Sequence, residues 1–239
     1  MAWFTTKQGK HVNTDWFDKD RQIANNKKEA DSKNKEASYT DLSKGYNYQS
    51  TKDWFKQNSN YDAWSEHMED DEIFDNVYKY TGDYYGEVNN YLRTGKYKQY
   101  EKYSDEEHAQ EIIKDIDDSI KSFDLKSPIT VYRASDSSLF GKSKMTYEEM
   151  QSMIGKEFTD KAYLSTSMRK ELPGEQTVGG SIDYKIQVPA GKGIGAYIAQ
   201  FSENSQEREF LINRNSKYKV ISVVRDSNGR AQITLQMMR

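Results

Sequence analysis

Pro128 separates two regimes of hydrophobic spacing, and the order of those regimes limits the folds open to this chain. Ahead of it, Trp64, Met68, Ile73, Phe74 and Val77 fall near helical spacing, as do Tyr84, Val88, Tyr91 and Leu92. Ser104-Asp105-Glu106-Glu107 reads as a capping box. It opens an amphipathic helix that turns Ala109, Ile112, Ile113, Ile116, Ile120 and Phe123 inward. Behind Pro128 the spacing predicts strands over residues 129–133, 164–166, 182–188, 195–198, 209–212, 218–224 and 233–237. One short helix over 146–153, with its own box of Thr146 and Glu149, interrupts them. Asp226-Ser227-Asn228-Gly229 is suited to a hairpin turn between the last two strands. Helices first and strands afterwards predict an α+β domain rather than a wound parallel sheet.

Residues 1–60 stand apart. From Asp18 to Lys44 the chain is almost all Lys, Asn, Asp, Glu, Ser and Ala, which suits a solvated helix or a disordered tether. Lys and Arg outnumber Asp and Glu by 11 to 8 there, so the remainder carries −6 of the total −3. Asp15-Trp16-Phe17 and Asp53-Trp54-Phe55 bracket the tract, either as aromatic anchors for a polar arm or as a partner-binding repeat. The expected division is an N-terminal arm over 1–60 and a catalytic domain over 61–239.

Composition removes several chemistries. A net charge of −3 argues against a dedicated nucleic-acid surface. The absence of cysteine removes thiol nucleophiles, disulfides and cysteine-based zinc sites. His11, His67 and His108 are scattered, so no metal is expected. No stretch approaches roughly 18 apolar residues, and the first ten residues lack the apolar core of a secretion signal. A core is still affordable, because 18 Tyr, 9 Phe and 4 Trp bury much area each.

Three clusters carry possible chemistry. Glu207-Arg208-Glu209 opens an apolar run, and alternation along a strand would send both carboxylates to one face. Such a pair is either a solvated acidic edge or a means of holding a positively charged transition state. Arg133, ending Val131-Tyr132-Arg133, is either structural or a planar donor fork for a diphosphate. Ser165-Thr166-Ser167 supplies β-forming residues whose hydroxyls could also aim a carboxylate. Gly191-Lys192-Gly193-Ile194-Gly195 lies between two strands and reads as a turn, not a dinucleotide fingerprint.

In order, these elements resemble the catalytic core of the mono-ADP-ribosyltransferase toxins of the Arg/Ser-Thr-Ser/Glu-x-Glu class, notably the enzyme subunits of actin-modifying binary toxins and insecticidal toxins. The likeness also takes in Tyr80-Thr-Gly through Asn89 to Leu92-Arg93, Ala196-Tyr197-Ile198-Ala199 and Ser216-Lys-Tyr-Lys-Val220. It implies N-terminal helices packed on a two-sheet, mostly antiparallel β-sandwich with an NAD cleft. It also implies transfer of ADP-ribose from NAD to an arginine of a target protein. Glu209 would then be the catalytic acid, Glu207 would engage the acceptor, Arg133 would bind NAD, and Ser165 would hold Glu209. Tyr80, Asn89, Thr166, Ser167 and Arg169 would complete the NAD site, Arg169 from the loop 168–181. NAD would be consumed as substrate. The partner would be a protein, actin-like in one version, met by a monomer secreted or delivered into a target cell by a non-classical route. NAD hydrolysis and a non-catalytic, phage-associated module are the alternatives. The loop 202–206 has no aromatic, position 134 is Ala, and the loop after Ser167 has no Phe, three departures from the family pattern.

Overall fold

The computed structural model describes residues 3–5, 11–13, 38–99, 105–170, 182–226 and 229–239. Contacts divide the chain into two units, Met1–Ser38 and Tyr39–Arg239. In the first, strands β1 (Trp3–Thr5) and β2 (His11–Asn13) pair antiparallel. Asp15-Trp16-Phe17 and most of the polar tract lie outside the described residues.

The second unit begins well before residue 61. After β3 (Thr40–Asp41), helix α1 (Tyr48–Asn58) starts on a capping box of Asn47 and Ser50. It buries Phe55, whose ring stacks on Tyr197 at 4.3 Å and lies 6.0 Å from Phe210. The expected boundary at residue 60 therefore falls inside the compact unit. Leu42 and Phe55 of this stretch are fully buried and Trp54 packs against them in part, so the Asp53-Trp54-Phe55 aromatics belong to the core and not to an arm.

Helices α2 (Tyr61–His67), α3 (Asp71–Lys79), α4 (Tyr85–Thr94) and α5 (Glu106–Ser122) follow. A single π-helical turn, Tyr80–Tyr84, joins α3 to α4. Asp105, not Ser104, caps α5, accepting from the His108 amide. The apolar residues that the spacing turns inward are buried, except that Ile113 is only partly so, and Asp115 and Ser119 join them as buried polar groups that the spacing did not predict. Trp64 locks α2 to α5 by donating to the Ser119 carbonyl at 2.8 Å, and its ring meets Phe123 edge-on at 5.1 Å.

Past Pro128 the chain becomes sheet: β5 (Ile129–Ser135), β6 (Glu157–Asp160), β7 (Leu164–Ser167), β8 (Ile182–Val188), β10 (Gly195–Tyr197), β11 (Glu209–Ile212), β12 (Ser216–Arg225) and β13 (Ala231–Met238). Short strands β4 (Asp124–Leu125) and β9 (Gly191–Lys192) pair with each other, and α6 (Tyr147–Gln151) carries the expected Thr146–Glu149 box. The path runs β10-β11-β7-β5-β8-β13-β12-β6, with β3 beside β5. Pairing is antiparallel except between β8 and β13 and between β3 and β5. In place of the two expected sheets these nine strands form one continuous sheet, in which β10-β11-β7 meets the rest at a single register pair, Tyr132 with Ser167. Alternate residues of β8 and β13 are buried, the period of a strand with one face on a core.

Gly195 is required by the close approach of β11. A Cβ there would stand 2.6 Å from both the Leu211 carbonyl oxygen and the Phe210 ring. Because the obstacle includes backbone, Gly195→Ala is expected to cost about 1–3 kcal/mol by overpacking, read from the midpoint of a urea titration. No helix among the described residues is long and apolar enough to cross a membrane.

Candidate active site

Strand register assembles the centre. Glu209 of β11 faces Ser167 of β7 and sits diagonal to Ser165, which pairs with Leu211. Arg133 reaches across from β5, its Nη1 donating to the Ser165 carbonyl at 2.7 Å. Arg133, Ser165, Glu207 and Glu209 all line one cleft of about 550 Å³. Sequence spacing of 32 to 76 residues is thus collapsed into one wall by three strands.

The three hydroxyls divide their work. Ser165 stands close enough to the Glu209 carboxyl to favour its charged form, whereas Thr166 and Ser167 also line the cleft but spend their hydroxyls on backbone, donating to the Phe210 and Glu207 carbonyls. Those two bonds tie β7 to the Glu-x-Glu segment at either end. Glu209 itself is 5% exposed, and burial pushes its carboxyl up to about 7. The nearby Ser165 opposes that rise, the charge of Glu207 adds to it, and the Ser202 hydroxyl and Arg133 oppose it. A buried carboxyl between the charged and neutral forms at neutral pH is typical of groups recruited to chemistry.

Glu207 reaches the same cleft by a route that strand alternation does not describe. It ends a 3₁₀ turn, Ser205–Glu207, and Arg208 follows in the left-handed region at φ 51°. The kink, not a pleat, brings the two carboxylates together. Asn204 donates to Glu207 Oε1 at 3.0 Å, and Ser202 to Glu209 Oε2 at 3.3 Å, so the loop 202–206 supports both acids. Arg208 points away from the cleft. Its buried Nη1 donates to the carbonyls of Leu42 and Tyr46 and to the Thr51 hydroxyl, at 3.3, 2.9 and 2.9 Å. Spacing gave no hint of this contact, which ties the segment ahead of residue 61 to the centre of the site.

The opposite wall is helical. Asn89 on α4 lines the cleft and exchanges hydrogen bonds with the Tyr80 hydroxyl. Tyr80, expected in the cleft, lies fully buried behind it, its ring edge-on to Tyr163 at 5.7 Å. Its hydroxyl, pushed upward by burial, bonds to Asn89 and lies near Ser165, which in turn lies near the Glu209 carboxyl. Tyr163 is braced from behind by Asp117, which Arg214 holds at 2.6 Å. Arg169 stands beyond the cleft lining, donating to the Gln206 carbonyl, and the rest of its loop to residue 181 lies outside the described residues.

Tyr85 and Arg93 are among the cleft residues absent from the sequence-derived set. Tyr85 opens α4 with 54% of its surface exposed. Arg93 is gripped through Nε and Nη2 by Asp160, 3.0 and 2.9 Å away. Leu92-Arg93 at the end of a helical segment was the signal available for the latter. Among the described residues no three His, Asp or Glu gather as metal ligands.

Comparison with known proteins agrees with this geometry. NAD(+)--arginine ADP-ribosyltransferase EFV of Enterococcus faecalis is 34% identical over 146 residues. The match takes in 59% of this chain and 27% of that protein, so the chain spans little more than a quarter of that relative's length. Plx2a, an ADP-ribosyltransferase toxin from Paenibacillus larvae, shares the fold at TM-score 0.64 and 22% identity, over 80% of this chain and 96% of that one. BECa, an ADP-ribosylating toxin of a C. perfringens binary enterotoxin solved with NADH, does so at 0.63 and 19%, over 79% of this chain and 48% of that one. The family model described as ADP-ribosyltransferase exoenzyme matches residues 51–238, and the chain accordingly belongs to that family.

Proposed function

We propose that this chain transfers ADP-ribose from NAD to an arginine side chain of a protein and releases nicotinamide. The observation that carries the reading is the buried Glu209 carboxyl, tuned to about 7 beside Ser165 and Glu207. When the bond between ribose C1′ and the nicotinamide nitrogen breaks, its electron pair leaves with nicotinamide and positive charge develops on the ribose. A carboxylate already stripped of water holds that charge more strongly than a solvated one, at no cost of reorganisation. Arg133 and Arg93 offer guanidinium donors to the diphosphate from two walls of the cleft. An acceptor guanidinium nitrogen then attacks C1′ while Glu207 takes the proton it sheds. The arginine specificity named for the Enterococcus relative supports this choice of acceptor.

The finer assignments belong to the same proposal. Residues 1–38 form an arm, Tyr39–Arg239 forms the catalytic unit, and that unit works as a monomer after secretion or delivery into a target cell. Actin is the first protein acceptor to try.

Labelled NAD and agmatine, a small guanidine, test the reading. Wild type is expected to yield both ADP-ribosyl-agmatine and nicotinamide. Glu207→Gln should reduce transfer by about 10²-fold or more while largely sparing nicotinamide release. Nicotinamide release without any agmatine product from the wild type would make the chain an NAD glycohydrolase. Neither product would leave a binding module.

A further inference from the structure

The helical wall continues outside the cleft into a pair of aromatic rings left in water. Phe74 and Tyr78, one turn apart on α3, stack with centroids 6.0 Å apart and are 40% and 41% exposed. A single exposed ring needs no explanation, but two stacked rings beside a reaction cleft do. Phe74 also meets Phe201 edge-on at 6.2 Å, and Phe201, itself buried, is the root of the loop that leads to Glu207. The tip of that loop returns to the same helical wall. The Glu203 amide donates to the Thr81 hydroxyl at 3.0 Å, and the Glu203 carboxylate covers Gly82, where a Cβ would meet it at 2.7 Å. The rings, the loop and Glu207 therefore form one surface that runs from solvent to the cleft. Asp83 and Glu203 are exposed along it, and the nearby Lys79 is paired with Asp75.

We propose that this aromatic and acidic face docks the protein substrate around its acceptor arginine. The partner is a surface with cationic and aliphatic side chains flanking that arginine. These lie on the Phe74 and Tyr78 rings, which attract cations through their faces, while the acidic rim steers a basic patch into place. The proposal rests on the reading of Glu207 as the group that engages an acceptor arginine. A small guanidine brings no protein surface to the rings, so protein and small acceptors separate docking from chemistry.

The experiment compares wild type with Phe74→Ala/Tyr78→Ala and with the milder Tyr78→Ala. Each is given biotinylated NAD with a whole-cell extract, and labelled NAD with agmatine. The expected result is a loss of about tenfold or more in extract-protein labelling by the double variant, with agmatine transfer and nicotinamide release unchanged. Extract labelling that persists at the wild-type level overturns the proposal. If the double variant loses all three signals, its fold has suffered and Tyr78→Ala decides: selective loss of extract labelling supports docking, and no selective loss overturns it. A wild type that dimerises in sedimentation, and separates on substitution of the rings, gives the face to a second copy of the chain and also overturns the proposal. A wild type that labels neither agmatine nor extract fails at Glu207, which separates the loss of the arginine reading from the loss of the docking face.

Discussion

Glu209→Gln is expected to lower nicotinamide release and ADP-ribosyl transfer together by about 10³-fold or more, and yet to stabilise the protein at pH 8. Both results come from the same burial. The Glu209 carboxyl titrates at about 7 instead of its ordinary 4.5 because the fold withholds water from it. A raised carboxyl favours the protonated form in the folded state. Its contribution to stability is therefore complete below about 4.5 and is lost as pH rises through about 7. At pH 8 the ionised side chain costs on the order of 3 kcal/mol, a cost that the neutral amide avoids. Thermal unfolding at pH 8 should show the variant melting above the wild type, and the two should converge at pH 5. The wild-type rate should move the other way, rising with pH through about 7, because only the carboxylate supports a ribosyl cation. Equal melting at both pH values would contradict the buried-charge account.

Arg208→Met is the second large effect, and it lies outside the cleft. One buried nitrogen satisfies three oxygens, from Leu42, Tyr46 and Thr51. Deleting it leaves acceptors with no water to replace it, at about 1–3 kcal/mol for each one orphaned. A loss of about 3 kcal/mol or more is expected from urea unfolding. Activity should fall further than unfolding accounts for, because the same residue forms the left-handed kink that sets Glu207 beside Glu209. A variant that unfolds earlier but turns over normally while folded would show that the clamp serves stability alone.

How much of this was legible in the sequence depended on range. Residues 182–188, with one buried face, announced themselves by alternation, and 209–212, buried throughout, by an unbroken apolar run, so both were placed to the residue. Arg133, Ser165 and Glu209 were legible as strand residues, and their union followed once strand order was fixed. Glu207 was placed rightly for a wrong reason, since the pair was read as pleated and a single φ of 51° does the work instead. The role of Arg208 was hidden because its acceptors are backbone oxygens about 160 residues away, which no local pattern encodes. Tyr80 was read as cleft-lining, whereas its hydroxyl is used one layer back. The arm was drawn too long because Phe55, read as an anchor of the arm or part of a repeat, is a core residue of the compact unit itself.

The π-helical turn at Tyr80–Tyr84 gives the wall a phase. Such a turn holds one residue more than a standard helical turn. Closing it to the ordinary pitch with all five residues kept would rotate everything downstream by roughly 90° relative to what precedes, because each residue would then turn about 100° instead of about 80°. Asn89 would then swing off the Tyr80 hydroxyl and Arg93 away from Asp160, with no side chain altered. The spacing of nine between Tyr80 and Asn89 thus behaves as a combination lock, in which the pitch of one turn matters as much as residue identity.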